Sequence, residues 1–302
     1  MKQFLQVTVL SLCFAVPGLA QVDPLHAQYL NNPLMINPAY SGLTKDFNAN
    51  VSYRRQWSGF EGSPNTISAS AHTAMTANRM GIGVLFVSDR SGNATNTETY
   101  ATYAYRISTG KATLSLGLQA GFVNFKTDND ALNTYDPTDP AFSQNQNVTK
   151  PSIGAGAILH NDRFFIGLSV PQMLKIYSTF NEFQNDVYVQ HYYLSAGYLI
   201  YFSPKIKFKP SMLMRAVQGA PLSVDANASL LFDDTFSAGV LTRNLNTYGI
   251  ILQSRIGRDY RFGYVFEMPT NKSVGARFTT HELSFGINVA IFKAHELSKS
   301  NF

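Results

Sequence analysis

From about residue 47 onward the chain alternates apolar and small polar residues with a period of two. Over residues 112–125, Leu114, Leu116, Leu118, Ala120 and Phe122 share one face, and Thr113, Ser115, Gly117, Gln119 and Gly121 share the other. Residues 222–232 set Leu222, Val224, Ala226, Ala228 and Leu230 against Ser223, Asp225, Asn227 and Ser229. Residues 283–292 set Leu283, Phe285, Ile287, Val289 and Ile291 against Ser284, Gly286, Asn288 and Ala290. Successive side chains of a strand point to opposite faces, so each run reads as a strand with one apolar face and one face of small polar groups. A water-soluble sandwich also alternates, but its outward face carries more Lys and Glu. Segments of about ten residues with this face chemistry are the signature of strands that cross a membrane as a barrel.

Read this way, the chain holds about fourteen strands, near 47–57, 64–75, 80–88, 95–107, 112–125, 149–160, 162–171, 187–202, 205–216, 221–232, 234–244, 247–257, 260–268 and 278–292. Every second connection is tight, at 76–79, 108–111, Asn161, Ser203-Pro204, Asp233 and Arg258-Asp259, while those between are mostly longer, above all 126–149, 172–186 and 269–277. Short turns at one rim and longer loops at the other predict an all-β, transmembrane, up-and-down antiparallel barrel of the outer membrane. The even count puts both ends at the short-turn, periplasmic rim, with the loop carrying Asp136 outside and the turn at Thr109 inside. Tyr53, Trp57, Tyr100, Tyr103, Tyr105, Tyr192, Tyr193, Tyr198, Tyr201, Tyr260, Tyr264 and Phe266 crowd toward strand ends, as interfacial girdles do. Ordinary strand propensity also favours Tyr and Phe.

The ends divide the chain further. Lys2, an apolar run from Phe4 to Val16 and the small-residue exit Gly18-Leu19-Ala20 make residues 1–20 a secretory signal peptide, cut before Gln21. Cys13, the only cysteine, follows Leu12 rather than the small residue a lipid anchor needs, so no disulfide or thiolate metal site is expected after cleavage. Residues 21–46 form an N-terminal segment, 47–292 the barrel, and 293–302 a periplasmic tail. Aromatic content of 13% and charged content of 14% set the chain apart from disordered exported proteins. Past residue 20 no apolar run reaches the roughly 18 residues of a spanning helix, so a membrane-embedded form must cross as strands.

The segment before the barrel obeys neither period. Asp23-Pro24, Asn32-Pro33 and Asn37-Pro38 break regular structure and predict a pinned, mostly extended lead-in. It also carries Tyr29, Leu30, Leu34, Met35, Ile36 and Tyr40, too much apolar surface to leave in water. A plug or lid, inside or across the periplasmic mouth, is the expected resting place. At the opposite rim Gly59 and Gly62 let the first loop fold inward, so that Trp57 and Phe60 cap the lumen from above. Gly81-x-Gly83 and Gly154-x-Gly156 lie on single strand faces, where glycine makes room inside a narrow barrel.

Catalytic and metal chemistry find no grouping. His26, His72, His160, His191, His281 and His295 lie far apart, and His281-Glu282 at the start of the last strand reads as a polar rim pair. No enzyme activity, cofactor or metal is expected. The net charge of +5 comes without a basic cluster interleaved with aromatics, which argues against nucleic acid. Five of the six tight turns or their flanks are basic, through Arg79, Lys111, Arg163, Lys205 and Arg258. These fit solvated turns and lipid headgroup contacts, or a docking surface for a periplasmic partner. Inward faces are rich in Gly, Ser, Thr and Ala with scattered Asp225, Arg215, Arg243 and Arg255, unlike the open, strongly charged constriction of a porin.

Asp23-Pro24, Gln28-Tyr29, Asn32-Pro33, Asn37-Pro38-Ala39-Tyr40 and Gly42, followed by Arg54, Gln56-Trp57, Gly59-Phe60, Gly62 and Pro64, closely resemble the start of the PorP/SprF family of type IX secretion outer-membrane proteins in Bacteroidetes. The resemblance covers roughly residues 23–66; beyond it, only length and barrel patterning agree. It implies an outer-membrane barrel that helps secrete or hold large cargo proteins at the cell surface, including gliding adhesins. Its implied partners are the cargo, the outer-membrane lipid, and periplasmic secretion-ring or peptidoglycan-binding components. A passive porin or small-solute channel is the alternative that the barrel alone supports.

Overall fold

The computed structural model describes residues 27–30, 32–44, 46–75, 78–129, 145–174, 176–180, 183–270 and 277–290. Residues 1–20, the tail 293–302, and Asp23, Pro24 and Asp136 lie outside them. Fourteen antiparallel strands form one closed sheet: β1 (Phe47–Arg55), β2 (Asn65–Met75), β3 (Met80–Ser91), β4 (Ala94–Ser108), β5 (Thr113–Thr127), β6 (Asn147–His160), β7 (Phe164–Val170), β8 (His191–Tyr198, resuming at Ile200–Tyr201), β9 (Ile206–Val217), β10 (Ser223–Phe232), β11 (Phe236–Arg243), β12 (Thr247–Ile256), β13 (Tyr260–Pro269) and β14 (Thr280–Val289). Each strand pairs with its neighbours in sequence, and β1 pairs with β14 from Phe47–Val289 to Arg55–His281. That last pairing satisfies the backbone of both terminal strands and removes the sheet's edges, as a bilayer requires. A separate two-stranded hairpin, Ile176–Phe180 with Phe183–Tyr188, stands outside the barrel sheet in the loop between β7 and β8.

The alternation read from the sequence is the alternation of burial. In β1, Asn48, Asn50, Ser52 and Arg54 are buried while Val51 and Tyr53 are exposed. In β5, Ser115 and Gln119 are buried while Leu116, Leu118 and Phe122 are exposed. Ile82, Val84, Phe86, Leu168, Val240, Ile250 and Leu283 extend the exposed apolar surface around the barrel. Polar inside and apolar outside is the arrangement that puts a hydrocarbon phase against the outer wall.

The short connection from β2 to β3 and tight turns at 109–112, 161–163, 202–205, 233–235 and 257–259 share one rim, which the chain reaches at Asp46 just before β1 and leaves just after Val289. The longer connections, β1 to β2, β5 to β6, β7 to β8 and β13 to β14, leave from the other rim. Exposed Tyr105, Tyr201, Phe202, Phe232, Phe236 and Tyr260 cluster by the short-turn rim, and Tyr53, Tyr192 and Tyr248 lie toward the opposite one. Two of the aromatics expected in a girdle face the lumen instead. Tyr100 is buried with its hydroxyl donating to Ser152 Oγ at 3.2 Å, and Tyr193 stacks with the buried His191, because both sit on inward parity.

Candidate functional site: an occupied lumen

The N-terminal segment fills much of the barrel. Where an extended lead-in was expected, the described residues form three short 3-10 turns, Ala27–Leu30, Pro33–Met35 and Pro38–Tyr40. Each Asn-Pro pair begins a turn rather than breaking one. Asn37 is extended (φ −151°, ψ 113°), its Oδ1 accepts the N–H of Ala39 at 2.9 Å, and Pro38 takes the first turn position, where its missing donor is no loss. The turns bring apolar side chains to one wall after another. Leu34, Ala39 and Tyr40 pack with Ile158 and Phe165, Met35 with Leu85, Val87, Tyr100 and Val123, and Ile36 with Leu213.

Hydrogen bonds pin the segment to both flanks. Asn37 Nδ2 donates to the carbonyls of Ala157 and Leu168, Ser169 Oγ to that of Ile36 at 2.6 Å, and Ser115 Oγ to that of Ala39 at 2.7 Å. Ser41 Oγ lies 2.7 Å from Thr102 Oγ1, Arg106 Nη1 donates to the carbonyl of Ser41, and the N–H of Gly42 donates to His72 Nδ1. Gly42 has φ +65°, and a Cβ there would stand 2.5 Å from the carbonyl oxygen of Thr73, so no other residue fits. Opposite the segment the wall is bare. A Cβ on Gly81 would meet Ser41 O at 2.0 Å, one on Gly117 would meet Ala39 N at 2.1 Å, and one on Gly156 would meet Asn37 Oδ1 at 2.0 Å. Gly81 and Gly156 thus make room for this chain's own backbone and amide. Gly83 accommodates His72 and Thr102, and Gly154 the carbonyl of Pro171.

At the long-loop end the wall carries charge. Arg54 on β1 reaches Glu282 on β14 at 2.9 Å and Glu267 on β13 at 2.6 Å. Arg243 on β11 reaches the other Glu267 oxygen at 3.3 Å and grips Asp225 on β10 through Nε and Nη2, both at 2.9 Å. Five side chains form one ladder, Glu282–Arg54–Glu267–Arg243–Asp225, with carboxylates at both ends. It crosses β12 beside Gly249, the register partner of Glu267, which carries no side chain. Arg54, Glu267 and Glu282 are each no more than 2% exposed, and charges so deep persist only when paired. Tyr29 lies within electrostatic reach of Asp225, Arg243 and Glu267, while Gly42 lies beside His72 toward the short-turn rim. Residues 29–42 therefore run lengthwise through the lumen instead of lying across one mouth.

Compared with known proteins, the sequence matches the family described as type IX secretion system membrane protein PorP/SprF over residues 18–287. The chain belongs to the PorP/SprF family. No curated protein matches it. Among solved structures it is similar to the CymD monoaromatic hydrocarbon channel (TM-score 0.52, 11% identity, covering 90% of this chain and 94% of that one). It is also similar to the P. putida toluene transporter TodX (TM-score 0.51, 9% identity, covering 86% and 95%). At such identities the likeness shows the fold alone, an outer-membrane barrel, and the family and fold together put the protein in the outer membrane.

With the PorP/SprF family shown, its motif residues can be located. Asn32, Asn37, Pro38, Tyr40 and Gly42 are buried and hydrogen-bonded in the luminal segment, Pro33 is half-buried, and Tyr29 is buried beside them; the Gln28 side chain lies outside the described ones. Arg54, grouped by sequence with the surface loop, instead points inward from β1 as the hub of the ion ladder. The rest of that motif does form the loop. Gln56 N–H donates to Pro64 O at 2.9 Å, Ser58 N–H to Thr279 O at 2.7 Å, and Gly92 N–H to Gly62 O at 2.9 Å. Trp57 adopts φ 52°, and Gly59 and Gly62 adopt φ 95° and 72°. Phe60 is 54% exposed and meets Phe278 edge-on at 5.6 Å, so the loop is tied sideways to its neighbours and Phe60 does not cap the lumen.

His281 and Glu282 are not a rim pair, since consecutive strand residues diverge: His281 bonds Tyr264 Oη at 2.8 Å and Glu282 turns inward to Arg54. Arg79, Lys111, Arg163, Lys205 and Arg258 are all exposed at the short-turn rim. Sequence reasoning missed Glu267 and Glu282 as lumen charges, although inward parity was a usable signal for both.

Proposed function

We propose that this PorP/SprF barrel is a non-enzymatic component of type IX secretion that acts as a closed scaffold, helping secrete or hold cargo such as gliding adhesins at the cell surface. The observation that carries the reading is the lumen itself. Residues 29–42 lie along it and are bonded to β2, β4, β5, β6 and β7, which suits a plugged support better than a passive porin. In this reading residues 21–46 are the plug, and the exposed basic short-turn rim meets periplasmic ring or peptidoglycan-binding components.

Deleting Asp23 to Gly42 tests it in two measurements. Planar-bilayer conductance should rise from a closed baseline once the segment is gone, and the amount of cargo at the surface of cells carrying the variant should fall. A parent barrel that already conducts like the deletion, with cargo unaffected, would establish the porin reading instead.

A further inference from the structure

The lumen holds a second feature that the luminal segment does not use. A cavity of about 90 Å³ lies toward the short-turn rim, bounded by β9 to β14 and β1, with Leu30 on its inner side. Three cations line it: Lys209, Arg255 and Arg261. Arg255 and Arg261 stand directly opposite one another in the β12–β13 register, both on inward parity, where like charges repel. The acids nearby compensate them only in part, and Asp46 lies within electrostatic reach of Arg261. Asp234, which also lines the cavity, is held by Lys207 at 2.6 Å, and Asp46 Oδ2 accepts from Asn288 at 3.0 Å.

Arg261 is the sharpest part of the arrangement. Its Nε and Nη2 are buried and, among the described residues, without a hydrogen-bond partner. A Cβ on Gly286, its register partner on β14, would stand 3.1 Å from Nη2, so the bare glycine is what seats the guanidinium. A guanidinium does not lose its proton, and burying it beside two more cations is costly unless an anion compensates. The ladder at the other end of the lumen shows how this protein treats buried arginines when it supplies the carboxylates itself. Here three cations face Asp234, already held by Lys207, and Asp46 at a distance, and the rest of the wall is hydroxyl and amide groups, Ser237, Ser284 and Gln253, around a space.

We propose that this cavity is a binding site for a compact phosphate-class oxyanion, held by Lys209, Arg255 and Arg261 and reached from the short-turn rim. Three cations around neutral donors match the several oxygens of a phosphate group, whether free or carried on a small ester. The test uses the full chain folded in detergent at low ionic strength, titrated calorimetrically with inorganic phosphate and separately with glycerol phosphate. Saturable binding of either supports the site; tighter binding of the first indicates a free anion, and of the second an ester.

Arg261→Gln and Lys209→Met should each weaken binding about tenfold or more, as loss of a charged hydrogen bond does. Lys111→Gln, on an exposed turn, should leave it unchanged. Gln253→Glu guards against misfolding of those variants. It keeps the volume and the Ser237 contact at 3.1 Å while giving the cations an internal carboxylate, so it should abolish binding and raise the unfolding temperature. Absence of saturable binding to the parent at millimolar ligand would overturn the proposal, as would Arg261→Gln and Gln253→Glu variants that bind as tightly as the parent, which would leave only loose association with the basic turns.

Discussion

Between β2 and β8 the lumen wall meets the chain's own N-terminal segment at glycines, hydroxyls and a few apolar side chains, whereas from β9 round to β1 it carries most of the lumen's charge. The two halves share one strand pattern, polar inward and apolar outward, yet use it in opposite ways. Where backbone must approach backbone, the wall is stripped to Gly81, Gly117 and Gly156, and the donors that remain are short, as with Ser115 and Ser169. On the other half the segment touches the wall through Tyr29, Leu30 and Ile36, and long charged side chains cross the space and hold each other, as Arg54 and Arg243 hold Glu267. A barrel of this width is therefore filled by two devices, a bound strap on one side and an ion ladder on the other.

The largest effect is expected from the charged half. Glu267→Gln removes the carboxylate shared by Arg54 and Arg243, leaving two buried guanidinium groups short of a partner. Breaking a buried pair on one side costs about 3–5 kcal/mol, so the denaturant midpoint of the folded barrel should fall by that equivalent, with the luminal segment still protected from protease. Loss of that protection at the same time would mean that the two halves are one unit.

A smaller effect, with the opposite signature, is expected from the strapped half. Gly117→Val puts a Cβ within 2.1 Å of Ala39 N and 2.4 Å of Pro38 C, backbone atoms that cannot swing aside. Overpacking of this kind costs about 1–3 kcal/mol, and the cheapest relief is expulsion of the segment. Gly239→Ala on β11 is the control, because its Cβ would meet Ser229 Oγ at 2.2 Å and Ala228 O at 2.8 Å, both on the neighbouring strand β10 and neither on the segment. The Gly117 variant should expose residues near Asn37 to protease and raise conductance, and the Gly239 variant should do neither. Equal behaviour of the two would remove the distinction between room for the strap and room for side chains.

How much of this was legible follows from how local each signal is. The strands were, because a period of two needs only neighbouring residues, and the tight turns at Asp233 and Arg258-Asp259 punctuate it. The fate of the lead-in was legible in kind: Tyr29, Leu34 and Tyr40 beside prolines had to be buried. Its course was not, since that depends on which inward glycines face it, and Gly83 or Gly239 looks the same in sequence as Gly81 or Gly117. The ion ladder was least legible. Arg54 and Glu282 are partners only through the pairing of β1 with β14 that closes the barrel, and Arg243 and Glu267 meet across the intervening strand β12. Inward parity named the candidates; only the register could match them.

The smallest effect tests the comparison at single hydroxyls. Ser115 is fully buried and donates at 2.7 Å to the carbonyl of Ala39, where water has no access once the segment is in place. Ser237 donates at 3.1 Å to Gln253 beside the cavity, where a water can replace it. Ser115→Ala therefore strands a buried acceptor and should destabilise by about 1–2 kcal/mol, while Ser237→Ala should cost about 0.5 kcal/mol or less. Paired unfolding curves in one lipid system measure the difference directly. A Ser115 variant as stable as the Ser237 variant would mean that the strap is wetter than its packing implies, and that the charged half alone holds the barrel's interior.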